Sequence, residues 1–229
     1  MRKAILTSLF LLSFHLGYCQ VGDYRSCLSV GGNIGMTMNT MNFSPTIKQS
    51  SKLFPTLGIS CRYISEKYFS SICGVLLELN YSNLGWKEFI EDGSGNTYRH
   101  DIHYLQLPMM MQMGWGKEQN GFKFLFEAGP QLGLAIGTSE SRGGGTWDVS
   151  NRPNNVTYQY DHDIDRHFDY GIVGGLGIEY SRGRSHYIFE GRYYFGLGDT
   201  YDNSKQGYFS RSANQTIEIK LVYLHDIKL

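Results

Sequence analysis

Apolar and polar residues alternate with a period of two along most of the chain. In FKFLFEAGPQLGLAIG, residues 122–137, one set of alternate positions is apolar, whereas the other mixes glycine and alanine with Lys123 and Glu127. Successive side chains of a β-strand point to opposite faces, so this pattern predicts a strand with one apolar face. The same alternation recurs in segments that begin CLSVGG, LGISCRY, CGVLLEL, HYLQLPM, DYGIVGG, HYIFEGR and TIEIKLV. Together these segments predict eight strands.

The links between the predicted strands alternate in length. The long links are residues 37–54, 87–98, 138–165 and 199–214, and the short ones are 64–70, 116–121 and 181–185. Such alternation is typical of membrane barrels with short periplasmic turns and longer external loops. We therefore expect an all-β fold, an eight-stranded antiparallel up-and-down transmembrane β-barrel.

Aromatic residues support this orientation. Six of them have the apolar parity and lie near a short link or the C-terminus: Tyr63, Trp115, Phe122, Tyr180, Tyr187 and Tyr223. Aromatic side chains concentrate at membrane interfaces, so these residues predict a girdle at the periplasmic end. Tyr81 and Tyr170 are candidates for the opposite girdle.

The other face of the strands carries charge. Its charged positions are Arg62, Glu78, Lys123, Glu127, Glu179, Glu190, Arg192, Glu218 and Lys220. A soluble lipocalin-like barrel would place apolar residues inside, so these charges argue against an apolar ligand cavity. The interior of an eight-stranded barrel is just wide enough for side chains, and buried charges must pair. We expect a lumenal charge network in which glycines leave room for long side chains; an ion path is the alternative.

Composition and the N-terminus restrict the remaining classes. The chain has 229 residues and a mean hydropathy of -0.32. Its net charge is zero, so the composition does not indicate a basic surface for binding nucleic acid. Arg2 and Lys3 precede a short apolar run, which predicts a signal peptide over residues 1–19 and a barrel domain over 20–229. The three cysteines of the mature chain, Cys27, Cys61 and Cys73, have irregular spacing, which argues against a disulfide framework and a zinc site.

The loops hold residues that could carry chemistry, but no complete motif. The segment DHDIDRHFD, residues 161–169, offers oxygen and imidazole ligands but lacks the glycine and glutamate of an EF-hand loop. Ser139, Ser141, His162 and His167 show no recognisable spacing of nucleophile and base. GGGTW, residues 143–147, lacks the lysine of a phosphate loop. We expect no metal, no cofactor and no enzymatic activity.

Several strands resemble those of the PorT-like outer-membrane β-barrel family. The resemblance is carried by YLQLPMMMQM (residues 104–113), by FLFEAGPQLGL with its Gly129–Pro130 pair, and by DYGIVGGLGIEY followed by IFEGRYYFGLGD. It implies an integral outer-membrane protein of a Gram-negative cell, and some members of the family are linked to a protein secretion system. Two departures are Gln106, where the family has an acidic residue, and the ending LVYLHDIKL, where the family ends on an aromatic residue.

These observations predict a monomeric outer-membrane barrel with a plugged lumen, whose main partner is the lipid bilayer. Its role would be structural or interaction-based, through surface loops or periplasmic contacts with a protein partner that the sequence does not name. Three alternatives stay open: an accessory factor in protein secretion, a narrow pore and an outer-membrane enzyme.

Overall fold

The computed structural model describes residues 27–50, 52–68, 71–117, 120–150, 152, 156–204 and 208–227. The predicted signal peptide lies outside these residues. Within them, no helix is long and apolar enough to cross a membrane.

The described chain forms ten strands. Their bounds are β1 Cys27–Ser44, β2 Gln49–Ser50, β3 Leu53–Tyr68, β4 Ser71–Asn83, β5 Trp86–Glu88, β6 Thr97–Gly116, β7 Gly121–Gly143, β8 Phe168–Arg182, β9 Ser185–Gly196 and β10 Arg211–Ile227. The eight long strands pair antiparallel with their sequence neighbours, and β1 pairs with β10, which closes the ring. The predicted eight-stranded up-and-down barrel is confirmed.

Side-chain exposure alternates along the barrel strands as the period-two pattern predicts. In β9, every second residue from His186 to Gly196 is buried, and the residues between them are exposed. The exposed set is apolar, with Phe189, Tyr193 and Phe195 each at least 40% exposed. Apolar side chains on the outside of a closed barrel are stable only against lipid.

The six aromatic residues of the predicted periplasmic girdle lie on the outer face near the short turns. Cross-strand pairing places Tyr180 beside Tyr187 and Tyr187 beside Tyr223. Tyr81 and Tyr170 lie on the outer face toward the other end, where Tyr81 Oη is 2.9 Å from His103 Nδ1. We call these two ends of the barrel the short-turn end and the long-loop end.

The predicted strand ends were wrong at the long-loop end. We expected a link over residues 37–54, but β1 continues to Ser44; likewise β7 continues to Gly143. Beyond Met38 the apolar parity of β1 inverts: Met41 and Phe43 point inward and are buried, and Asn42 points outward and is exposed. The inversion marks the point at which the strands leave the lipid and enclose a core of their own.

Candidate functional site

One group of lumenal charges lies nearest the short-turn end and is centred on Glu179. Arg62 Nη1 donates to Glu179 Oε2 at 2.7 Å, and Lys123 Nζ lies 2.9 Å from Glu179 Oε1. All three side chains are at most 2% exposed. Two cations on one carboxylate leave this group with a formal excess of positive charge.

His186 extends the Glu179 group toward the barrel mouth. Its Nδ1 lies 2.6 Å from Glu179 Oε1, and its Nε2 lies 2.9 Å from Asp226 Oδ1. Ser181 Oγ donates to Glu179 Oε1 at 2.9 Å, and Ser29 Oγ donates to Asp226 Oδ1 at 2.6 Å. Ser181 Oγ also lies 3.0 Å from His186 Nδ1, so these side chains form one buried hydrogen-bonded cluster around Glu179.

A second group surrounds Arg192 at the middle of the lumen. Arg192 donates to Glu78 through Nη1 at 2.7 Å and Nη2 at 3.1 Å, and to Glu127 through Nε at 2.6 Å. Lys220 Nζ also donates to Glu78 at 2.9 Å. Strands β4, β7, β9 and β10 supply these residues, so the guanidinium ties opposite walls of the barrel together. Gln112 lies between the two groups, 3.4 Å from Arg62 Nη1 and 3.2 Å from Glu127 Oε2.

The Arg192 group has more carboxylates than cations. Glu190 Oε1 lies 2.6 Å from Arg192 Nη2, yet neither Glu190 oxygen accepts a well-directed hydrogen bond from the residues that the structure describes. We take this as a charge contact without a directed hydrogen bond. Glu218 is farther out, with Oε1 3.5 Å from Lys220 Nζ and 12% of its side chain exposed. Glu190 and Glu218 are therefore the most weakly held of the nine charges that the sequence indicated.

Glycines leave the space that these long side chains occupy. A Cβ atom added at Gly175 would lie 2.8 Å from Arg192 Cγ, and one at Gly35 would lie 2.8 Å from Lys220 Cγ. Both distances are shorter than real carbon–carbon contacts. The mixture of glycine and charge on the inward face is thus explained by packing inside a narrow barrel.

Two voids that border the lumenal charges are very small. One void of ≈ 10 Å³ lies between Arg62, Gln112 and Glu179, and another of ≈ 10 Å³ lies between Gln106, Arg192 and Glu218. A space of this size holds at most about one water molecule. Neither void admits a hydrated ion.

A second buried core fills the long-loop end, and we call it the cap core. Its buried members are Met41, Phe43, Ile47, Leu84, Trp86, Tyr98, Ile102, Tyr104, Ala135, Val156, Ile164, Tyr201 and Phe209. Phe43 lies at its centre, 5.0 Å from Trp86 and 5.0 Å from Phe209 between ring centroids. Sequence reasoning missed this core because it treated these segments as loops; the parity inversion in β1 was the available signal.

Buried polar side chains fasten the loops to the cap core. Tyr160 Oη donates to Glu88 Oε2 at 2.7 Å, and Tyr98 Oη donates to the carbonyl of Gln159 at 2.8 Å. Burial raises the pKa of Glu88, although the hydrogen bonds from Tyr160 and Gln159 oppose the shift. Arg152, which pairs with Asp92, has its guanidinium carbon 4.6 Å from the Trp147 ring centroid. These contacts hold the described loop residues as a folded unit.

The acidic segment 161–169 does not converge on one point. Asp161 pairs with Arg142 at 2.5 Å, Asp163 accepts from Thr138 Oγ1 at 2.7 Å, and Asp169 points into the lumen. Among the described residues, no three His, Cys, Asp or Glu side chains could share a metal ion. The cysteines Cys27, Cys61 and Cys73 are free thiols at half-buried strand positions.

The chain is similar to known outer-membrane proteins. The profile of the outer membrane protein beta-barrel domain family matches residues 20–202. The fold is similar to that of Neisserial surface protein A (12% identity, 87% of this chain, 97% of that chain, TM-score 0.46). It is also similar to OprG from Pseudomonas aeruginosa (10% identity, 91% of this chain, 99% of that chain, TM-score 0.46). No curated protein sequence matches the chain.

The family match covers most of the sequence, and the apolar outer face of the barrel is what a membrane location requires. The chain belongs to the outer membrane protein beta-barrel domain family, and it is an integral protein of the outer membrane.

Proposed function

We propose that the protein is a closed, monomeric outer-membrane barrel that holds a folded cap at the cell surface and conducts no solute. Its role is structural or interaction-based, exerted through the cap or through periplasmic contacts. The observation that carries this proposal is the filled lumen: Arg192 and its carboxylates cross the interior, and the neighbouring voids measure ≈ 10 Å³.

The nine lumenal charges act in this proposal as one seal. Ion pairs between facing walls resist widening, since separating a buried pair leaves a charge without a partner. The cap core lies above the seal and adds a second barrier of packed aromatic rings. A narrow pore would need a continuous hydrated path through both layers.

Planar-bilayer recording of the purified protein tests the proposal. We expect no steady current above that of a detergent-only control, at either polarity. A steady, salt-dependent current from the native protein would overturn the seal and favour the pore.

A second candidate is an accessory role in protein secretion, as a PorT-like member of the wider family. The PorT-like strand segments, from Tyr104 to Met113 above all, favour it. Deleting the gene should then reduce the amount of exported protein in the medium, and the native gene should restore it. Unchanged export after deletion would leave the cap-display role as the better account. The expectation that the protein is not an enzyme stays a prediction.

A further inference from the structure

An open groove of ≈ 580 Å³ indents the lipid-facing surface where β8, β9, β10, β1 and β3 lie side by side. Its apolar wall is a row of outward side chains at one level of the barrel, formed by Ile178, Phe189, Leu221 and Ile34. Tyr187 and Tyr223 of the girdle line its lower side. The groove therefore runs from the hydrocarbon region to the interface at the short-turn end.

Gly32 opens the groove toward the interface. Cross-strand pairing places Gly32 next to Tyr223 on one side and Ile59 on the other, so it interrupts the girdle row. Of the described atoms, a Cβ added at Gly32 would meet only the carbonyl oxygen of Gly58, at 3.5 Å. The gap is open space rather than a site of tight backbone packing.

Basic groups lie directly below the groove. Ser185 pairs with His225 below the tyrosines, and Arg182 and Arg184 flank the turn between β8 and β9. Both arginines are exposed. Arg184 donates to the carbonyl oxygen of Asp226, and neither arginine has an ion-pair partner among the residues that the structure describes. Arg184 is three residues from Tyr187, or about 10 Å at strand rise.

We propose that this surface binds one anionic glycerophospholipid of the inner leaflet. An acyl chain lies in the groove over Gly32, and the phosphate contacts Arg182 and Arg184. The tyrosines lie at the interface, between the acyl chain in the groove and the headgroup below it. The guanidinium groups lie at headgroup depth, where arginine binds phosphate well and each basic residue attracts anionic lipid.

Two variants test the two halves of the site. Gly32→Leu fills the groove, and Gly174→Leu is its matched control, because Gly174 also faces lipid and has only a carbonyl oxygen within 4 Å of an added Cβ. Arg182→Gln combined with Arg184→Gln removes the headgroup charges, and Lys117→Gln on another short turn is its control. The arginines are exposed, so this variant stays informative if Gly32→Leu does not fold.

The measurement is native mass spectrometry of the full barrel, released from phosphatidylcholine nanodiscs that contain a minor fraction of phosphatidylglycerol. We expect one retained phosphatidylglycerol per barrel. Its apparent affinity should fall about fivefold for each arginine removed. Gly32→Leu should also weaken retention, and both controls should retain the lipid as the native protein does.

Three results would overturn the proposal. Equal retention in all five proteins would mean nonspecific annular lipid. Equal retention of phosphatidylglycerol and phosphatidylcholine would exclude selection by charge. A barrel dimer that is lost in Gly32→Leu would show that a second copy, and not a lipid, occupies the groove.

Discussion

Removing Arg192 is the most direct test of how the lumen is held together. Its side chain is 1% exposed and contacts Glu78, Glu127 and Glu190 at 2.6–2.7 Å. In Arg192→Ala, Glu78 keeps Lys220 as a partner, whereas Glu127 keeps, among the described residues, only the amide of Gln112. Carboxylates that faced one guanidinium would then face one another in a space with little room for water.

The expected loss of stability is about 3–5 kcal/mol, the usual cost of breaking a buried ion pair by removing one partner. Lys48→Ala is the matched control, because Lys48 also pairs with a carboxylate, Glu91, but its side chain is 59% exposed. Exposed pairs contribute about 0–1 kcal/mol. The difference between the two variants isolates the effect of burial.

The assay is equilibrium unfolding by urea in lipid vesicles, with unfolding followed by tryptophan fluorescence and by heat-modifiable gel mobility. Glu190→Gln serves as a further probe. The Glu190 oxygens accept no hydrogen bond within the described part of the chain, and removing this carboxylate relieves like-charge repulsion. Glu190→Gln should lower the free energy of unfolding far less than Arg192→Ala does. A loss of about 1 kcal/mol or less in Arg192→Ala would refute the buried network, because it would mean that water solvates the orphaned carboxylates.

Three further predictions use the same structure. Gly175→Ala should destabilise the protein by about 1–3 kcal/mol through overpacking against the lumenal side chains. Gly191→Ala, where an added Cβ has no described atom within 4 Å, should be neutral or slightly stabilising in the same unfolding assay, and equal effects of the two changes would contradict the packing. In a cysteine-free background, the thiol of Gly145→Cys should react with an impermeant reagent on intact cells, and that of Lys117→Cys should not. The reverse result would mean that the barrel has the opposite orientation in the membrane. Burial raises the pKa of Glu88 above its unfolded value, so the free energy of unfolding should fall as the pH rises from the usual carboxyl range through that raised pKa. Glu88→Gln should flatten this part of the pH profile, and a profile that Glu88→Gln leaves unchanged would contradict the prediction.

The fold was predictable from sequence because a barrel strand repeats a simple rule at every second residue. Lipid on one side and a narrow lumen on the other impose opposite requirements, so the parity of Phe122 or Glu127 identifies the face on which it lies. The links near Gly183 and Asn120 are short enough to be turns, and that fixed which strands are neighbours.

The partners of the lumenal charges were not predictable from sequence. Arg192 and Glu190 share the inward face of one strand, but the bidentate partner of Arg192 is Glu78, which is 114 residues away across the barrel. The alternation along a strand shows which face a side chain lies on, but it does not show which side chains it contacts. The height of each residue in the lumen depends on the stagger of the strands, which is a property of the closed ring.

The sequence by itself determined the number of barrel strands, the face of each residue in the lipid-spanning part of those strands and the membrane as the solvent of the outer face, since these follow from local alternation and link length. Only the tertiary structure decided the cap. A register shift between β6 and β7 leaves Ile136 out of the pairing and places Thr138 and Glu140 opposite Ile102 and His100, which are both buried. In the cap core, rings that are far apart in the chain, such as Phe43 and Tyr201, bury one another. Apolar residues in a loop can bury their surface only against residues that the closed fold places beside them. Which residues these are depends on distant parts of the chain and cannot be read from the local sequence.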